Sequence, residues 1–254
     1  ARLTTGITYC NDYLAKESDY NAAMTAEIRF VRALEYYLLM DAFGNIPFAE
    51  TLTTPTMKTR AEAYDWIVKE LLAIEPALSA AQPKKSSDAN YGRVDKAAAW
   101  MLLARLYLNA QVYTGTPQWA KAAEYAKKVI DSPYRLNTVG KNGWSAYQML
   151  FMGDNGETDA AYESIFSVLQ DGLTTTSWGT TTFLTASAFD GNMHANPHDA
   201  SAVNGLSGQN WGGNRCRTDL LKRFFPNSDA PNLACTDMPA AAHDDRAIFD
   251  GKDR

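Results

Sequence analysis

The stretch from Ala26 to Glu50, AEIRFVRALEYYLLMDAFGNIPFAE, constrains the fold more than any other part of this chain. Apolar residues at Ile28, Val31, Leu34, Leu38 and Ala42 lay one stripe along a helix. Tyr36, Tyr37, Leu39 and Met40 make further faces apolar, so this helix is expected between other helices rather than on a surface. It stops hard. Gly44 and Asn45 suit the left-handed conformation that ends a helix, and Pro47 cannot continue one. Arg29 and Arg32 sit on its first turns, where an unpaired buried guanidinium would cost too much to persist. At least one of them is therefore expected to be buried and paired, with Asp41 and Glu35 as the first candidate partners.

The same grammar runs through residues 1–134. Thr59 and Glu62 form a capping box, followed by a stripe of Tyr64, Ile67, Leu71, Ile74 and Leu78 that Pro76 should kink or end early. A second greasy helix is predicted over 93–112, and a further one over 117–131, with Thr116 as N-cap and Pro117 at its first position. That last helix is expected to bury Trp119, Ala122, Ala123, Ala126 and Ile130; Trp66, Trp100 and Trp119 are assigned to the core. The expectation is two antiparallel pairs, 21–42 with 62–78 and 93–112 with 117–131. Tyr37-Leu38 overlays Tyr107-Leu108 in a weak internal repeat, and such pairs fit a degenerate tetratricopeptide architecture. The fold class is mainly α, with a loop-rich ligand-binding region.

Residues 135–254 read differently and are taken as a truncated, loop-rich part of the same domain. Glycine, asparagine, threonine and serine dominate, and 164–169 is the one good short strand. Long loops in a compact domain are usually functional. The formal net charge of −5 argues against a sequence-independent nucleic-acid binder. No apolar run is long enough to span a bilayer as a helix. Cys10 reads as a small buried hydrophobe on a helix; Cys216 and Cys235 share one loop-rich stretch and are read either as a bridge or as inert thiols.

Five motifs in order resemble the SusD-like (SusD/RagB) family of surface glycan-binding lipoproteins of Bacteroidetes-type bacteria. The first is Glu27, Arg29, Phe30, Arg32, Ala33, Tyr36 and Tyr37, followed by Phe43, Gly44, Asn45, Ile46 and Pro47. The second is Gly92-Arg93-Val94-Asp95-Lys96 leading into AAAWMLLARLYLN. The third runs from Trp119 to Asp131, with Tyr134 and Leu136 behind it; the fourth is Glu163 to Ser167; the fifth is Asp245-Arg246. The resemblance implies tetratricopeptide units supporting an irregular ligand-binding region. It also implies a SusC-like TonB-dependent transporter as partner and a lipid anchor outside this chain, which would make the chain an internal portion of a longer outer-membrane protein. No enzymatic activity, cofactor or metal is implied.

Sugars are gripped by aromatic faces and planar polar groups. Trp178 and Trp211 sit in glycine-rich loops and are the predicted stacking faces, with Asn210, Asn214 and Arg215 beside Trp211 reading hydroxyls. Trp144, after Gly143, and Tyr147 are next in line. The acidic run Asp154, Glu157, Asp159 lacks the spacing of an EF-hand and reads as a solvated turn. His194 and His198 are separated by Asn196-Pro197 and do not share a helix face, and the adjacent Asp244-Asp245 cannot straddle a glycosidic bond. Capture of peptides, a helical-repeat scaffold binding only protein, and a glycoside hydrolase are the competing readings.

Overall fold

A computed structural model describes residues 2–17 and 21–169, which belong to one compact unit, Ala1–Leu169. Helix α1 is Arg2–Glu17 and α2 is Ala22–Phe43. Asn21 caps α2 through the amides of Ala23 and Met24, and Gly44, at φ 78°, closes it by donating its N–H to the Met40 carbonyl. A two-stranded antiparallel ribbon follows, β1 (Ile46–Phe48) with β2 (Thr56–Lys58), in the register Ile46↔Lys58. Its signal is the short in–out–in pattern of Ile46, Pro47 and Phe48, whose ends pack on the helices.

Helix α3, Arg60–Ile74, starts on the expected capping box between Thr59 and Glu62. It ends before Pro76 in a 3-10 turn, Glu75–Ala77. The predicted 93–112 helix is two pieces, α4 (Lys96–Leu108) and α5 (Ala110–Thr114). Asp95 starts α4 by accepting from Ala97 and Ala98, so the helix begins later than predicted. Asn109 interrupts it, its side chain donating to the Arg105 carbonyl at 3.0 Å in competition with the helical ladder. Helix α6 is Trp119–Ile130 and has no side-chain cap. Thr116 is not its N-cap: the Thr116 amide turns back onto Thr114 Oγ1 at 3.1 Å and helps close α5.

The pairs form as predicted. Cross-links from Arg29 to Glu70 and from Tyr36 to Trp66 run up one helix and down the other, so α2 and α3 are antiparallel. Trp100 lies near Lys128 and Tyr107 near Tyr125, which makes α4 and α6 antiparallel too. The fold is mainly α, with tetratricopeptide-like pairs. Two faces differ from prediction. On α2 the buried apolar residues are Ala26, Phe30, Ala33, Tyr36, Tyr37, Leu39 and Met40, while Leu38 and Ala42 of the predicted stripe are exposed. On α6 the buried residues are Ala122 and Tyr125; Ala123 is exposed, Trp119 is 59% exposed and Ile130 76%, so Trp119 is not a core residue. Trp66 and Trp100 do pack against the core. Alanine and apolar residues on several sides of α6 permit two stripes, and the ring of Tyr125 against Tyr107, 5.5 Å between centroids, selects one.

The arginines of the first motif are held in a buried triad, and an exposed ion pair ties that motif to the second. Arg32 is 5% exposed; its guanidinium donates to Glu70 at 2.9 Å, to Asn11 at 2.9 Å and to the Glu50 carbonyl at 3.1 Å. Arg29 grips the same Glu70 carboxylate with two bonds, 2.8 and 2.6 Å. Burial pushes the Glu70 carboxyl up, but the bonds from Arg29 and then Arg32 outweigh it and hold it below the ordinary range. The predicted partners lie elsewhere: Asp41 accepts from the Tyr113 hydroxyl at 2.6 Å, and Glu35 faces α1. Glu27 of the first motif holds Arg93 of the second through two bonds, 2.7 and 2.8 Å.

Glu35 carries a pH dependence. Its carboxyl lies against Gly6 of α1, where any Cβ would collide with it, and its Oε2 is buried without a hydrogen-bond partner. Burial raises its pKa from 4.5 to about 7, opposed by a bond from the Ile7 amide. A raised carboxyl pKa means the fold prefers the protonated form, so its stabilising contribution is complete below pH 4.5 and is lost as pH rises to about 7. Glu35→Gln should therefore flatten the decline of stability between those limits in chemical denaturation. An unchanged pH profile would show that this carboxyl does not govern it. Buried Cys10 sits in the same junction, and burial followed by the nearby Glu35 pushes its thiol up to about 11, so it is an inert core thiol.

Candidate functional site

Beyond α6 the chain builds a surface from short turns. Asn142 and Gly143 take positive φ, 55° and 82°, and bring Lys141 and Trp144 together in an isolated bridge. Ser145 and Gln148 then form a capping box that starts the one-turn helix α7, Ala146–Met149. Asn137 fastens this turn by donating to the Ala146 carbonyl at 2.8 Å. The result displays Trp144, 47% exposed, Tyr147, 58%, and Phe151, 72%. Tyr147 and Phe151 are one helical turn apart and meet edge to face, with centroids 5.2 Å apart. Aromatic rings left this open are available to a ligand face.

Phe151 forms the rim of a cleft of about 450 Å³, lined also by Tyr91, Leu150, Asn155, Glu163, Ser164, Phe166 and Ser167. The Glu163 carboxylate is anchored at one oxygen by the Asn137 amide, at 2.8 Å. The hydroxyls of Ser164 and Ser167 lie 2.8 Å apart. Behind the cleft, Arg135 stacks on the Tyr162 ring at 4.0 Å and Lys85 at 5.0 Å, and both cations reach Asp159. The combination of an aromatic rim with a carboxylate, an amide and paired hydroxyls suits a polyhydroxylated ligand.

Of the predicted site residues, Tyr147 meets Phe151 of the rim and Trp144 is exposed three residues before Tyr147, and neither lines the cleft itself. Trp178, Trp211, Asn210, Asn214 and Arg215 lie outside the described residues, as do Cys216, Cys235, His194, His198, Asp244, Asp245 and Arg246. The predicted strand over 164–169 does not form among the described residues. Phe166 packs instead edge-on against Phe30 at 5.7 Å, and the Ile165 carbonyl accepts from the Tyr134 hydroxyl at 3.4 Å. Ile165 and Phe166 are spent on the helical core, while Val168 and Leu169 stay exposed. Within the acidic run, Asp154 faces Lys141 at 3.6 Å and Asp159 faces Lys85 at 3.0 Å. Sequence reading missed Phe151, Asn155 and Tyr91. Phe151 was detectable as the i+4 neighbour of Tyr147; the others come from distant turns.

Residues 7–108 match a family model described as starch-binding, associating with outer membrane. The starch-binding protein SusD of Bacteroides thetaiotaomicron is 38% identical over 99% of this chain, and the chain spans 44% of that relative's length. Among solved structures, a surface glycan-binding protein A from Bacteroides uniformis superposes with a TM-score of 0.61 at 26% identity, over 87% of this chain and 45% of that one. A SusD-like protein from Bacteroides fragilis shares the fold, with a TM-score of 0.58 at 19% identity over 87% of this chain and 40% of that one. With 38% identity to SusD over nearly its whole length and its helical fold shared with these structures, the chain belongs to the SusD-like family.

Proposed function

We propose that this chain is part of a non-enzymatic protein that binds oligosaccharides at the outer surface of the outer membrane and delivers them to a SusC-like TonB-dependent transporter. The observation that carries this reading is the open aromatic rim beside a polar cleft, in a chain 38% identical to a starch-binding protein. The whole platform would combine Tyr147, Phe151 and Trp144 with Trp178, Trp211, Asn210, Asn214 and Arg215. The helical face would meet the transporter. Met101, Leu108 and Val112 form an exposed apolar stripe there, and Arg105 between them reaches across to Tyr37 of α2. A lipid anchor outside this chain would hold the protein at the membrane.

The test is calorimetry of the complete protein against soluble starch and a panel of other glycans and peptides. Tyr147→Ala, Phe151→Ala, Trp178→Ala and Trp211→Ala follow, each checked for folding by circular dichroism. One stacking ring contributes on the order of 1–2 kcal/mol, so its loss should weaken binding roughly tenfold. Unchanged affinity in all four folded variants would remove the platform, and binding confined to peptides would replace the glycan reading with peptide capture.

A further inference from the structure

Among the described residues that line the cleft, Glu163 is the one lysine, arginine, histidine, aspartate or glutamate. It is not adventitious, because the Asn137 amide holds one carboxylate oxygen at 2.8 Å. The described cations around it are engaged elsewhere: Lys85 and Arg135 with Asp159 and the Tyr162 ring, Lys84 with Asp95 and Arg93 with Glu27, and none of them lines the cleft. A fixed carboxylate on the wall of a concave, partly enclosed site acts through less water than one on an open surface, so its field reaches a bound ligand. It accepts strong hydrogen bonds from sugar hydroxyls and repels a second carboxylate or a sulfate.

Resting on the glycan reading above, we infer that Glu163 makes this cleft selective for uncharged sugars, excluding uronate-bearing and sulfated glycans by like-charge repulsion. Asn155, Ser164 and Ser167 supply neutral partners that would serve either kind of sugar, and Phe151 offers its ring to either. Discrimination by charge therefore falls to Glu163.

The test uses the complete protein and two probes, a soluble α-glucan and the same polymer oxidised at C6 to the uronate. At low salt the parent should bind the neutral polymer about tenfold more tightly or better. Glu163→Gln keeps a carbonyl oxygen for the Asn137 amide and removes the charge. It should retain the neutral polymer and close most of the gap; what remains reports the lost C6 hydroxyl. High salt should narrow the parent's gap in the same way, since screening acts on charge alone. Equal binding of both polymers by the parent, an unchanged gap in Glu163→Gln, or a gap indifferent to salt would overturn the inference while leaving glycan binding intact. Binding of neither this pair nor any glycan of the panel would bring down the glycan reading itself, and this inference with it. Should Glu163→Gln fail to fold by circular dichroism, the salt series on the parent decides alone.

Discussion

Glu70→Ala is expected to cost about 3–5 kcal/mol of stability and to lower the thermal midpoint by roughly 10 °C. The substitution leaves two guanidiniums facing an empty site. Arg32, with its side chain 6% exposed, cannot turn to water, whereas Arg29, at 32%, can. Arg32→Ala should therefore approach the Glu70→Ala cost, and Arg29→Ala should cost much less. Replacing the pair together, Arg32→Met with Glu70→Leu, should recover a good part of the loss, because a buried ion pair is expensive to break and cheap to replace with matched apolar groups. The pH signature runs opposite to that of Glu35. A depressed carboxyl pKa gives stability that is present above the ordinary value of 4.5 and lost as pH falls through the folded value. Glu70→Gln should thus flatten the acid limb of the parent's stability profile. A Glu70→Ala variant within about 1 kcal/mol of the parent would show that the triad is a surface decoration and not the keystone of the first helix pair.

The helices were legible because their signals are local. A capping box at Thr59 and Glu62, a glycine stop at Gly44 and apolar spacing each act within a few residues. What failed was long-range. Arg29 and Arg32 announced a need for a partner, but Glu70 lies 41 residues from Arg29 on a different helix, and nothing local marks it. The nearer carboxylates, Glu35 and Asp41, point along other faces of α2. Helix faces misled where apolar residues were too plentiful: α2 and α6 each offer more than one stripe, and only the neighbouring helix decides which is buried. The cleft itself was hardly legible: Gly143-Trp144 stood out as an unshielded aromatic but does not line it, and its polar wall is assembled from residues 91, 155, 163, 164 and 167, which share no pattern. The segment 164–169 has strand-like composition, yet Phe166 finds Phe30 and the helical core instead.

Asp95→Ala is the second large loss, again about 3–5 kcal/mol. The carboxylate is fully buried. One oxygen caps α4, accepting from the Ala97 and Ala98 amides at 2.9 and 3.4 Å. The other accepts from the Gln82 amide at 3.0 Å, the Lys84 ammonium at 3.1 Å and the Tyr134 hydroxyl at 2.8 Å. Burial first, and then the adjacent Asp95, push the Tyr134 phenol well above its ordinary range, so it remains a donor. The lost cap alone accounts for about 1 kcal/mol, and the stranded ammonium, amide and phenol supply the rest. Asp95→Asn should rescue little. It can keep the cap, but its NH₂ must then face three donors. Tyr134→Phe removes one bond and leaves the carboxylate otherwise served, so it should cost only about 1–2 kcal/mol. The loss should also reach the cleft, because the segment that follows Tyr134 supplies the Arg135 amide to the Tyr162 carbonyl and the Asn137 amide to Glu163. Amide hydrogen exchange in Asp95→Ala should accelerate at Gln82, Ala97, Ala98, Arg135 and Asn137 together, with weaker glycan binding. Acceleration confined to the start of α4 would reduce Asp95 to a helix cap and separate the scaffold from the site.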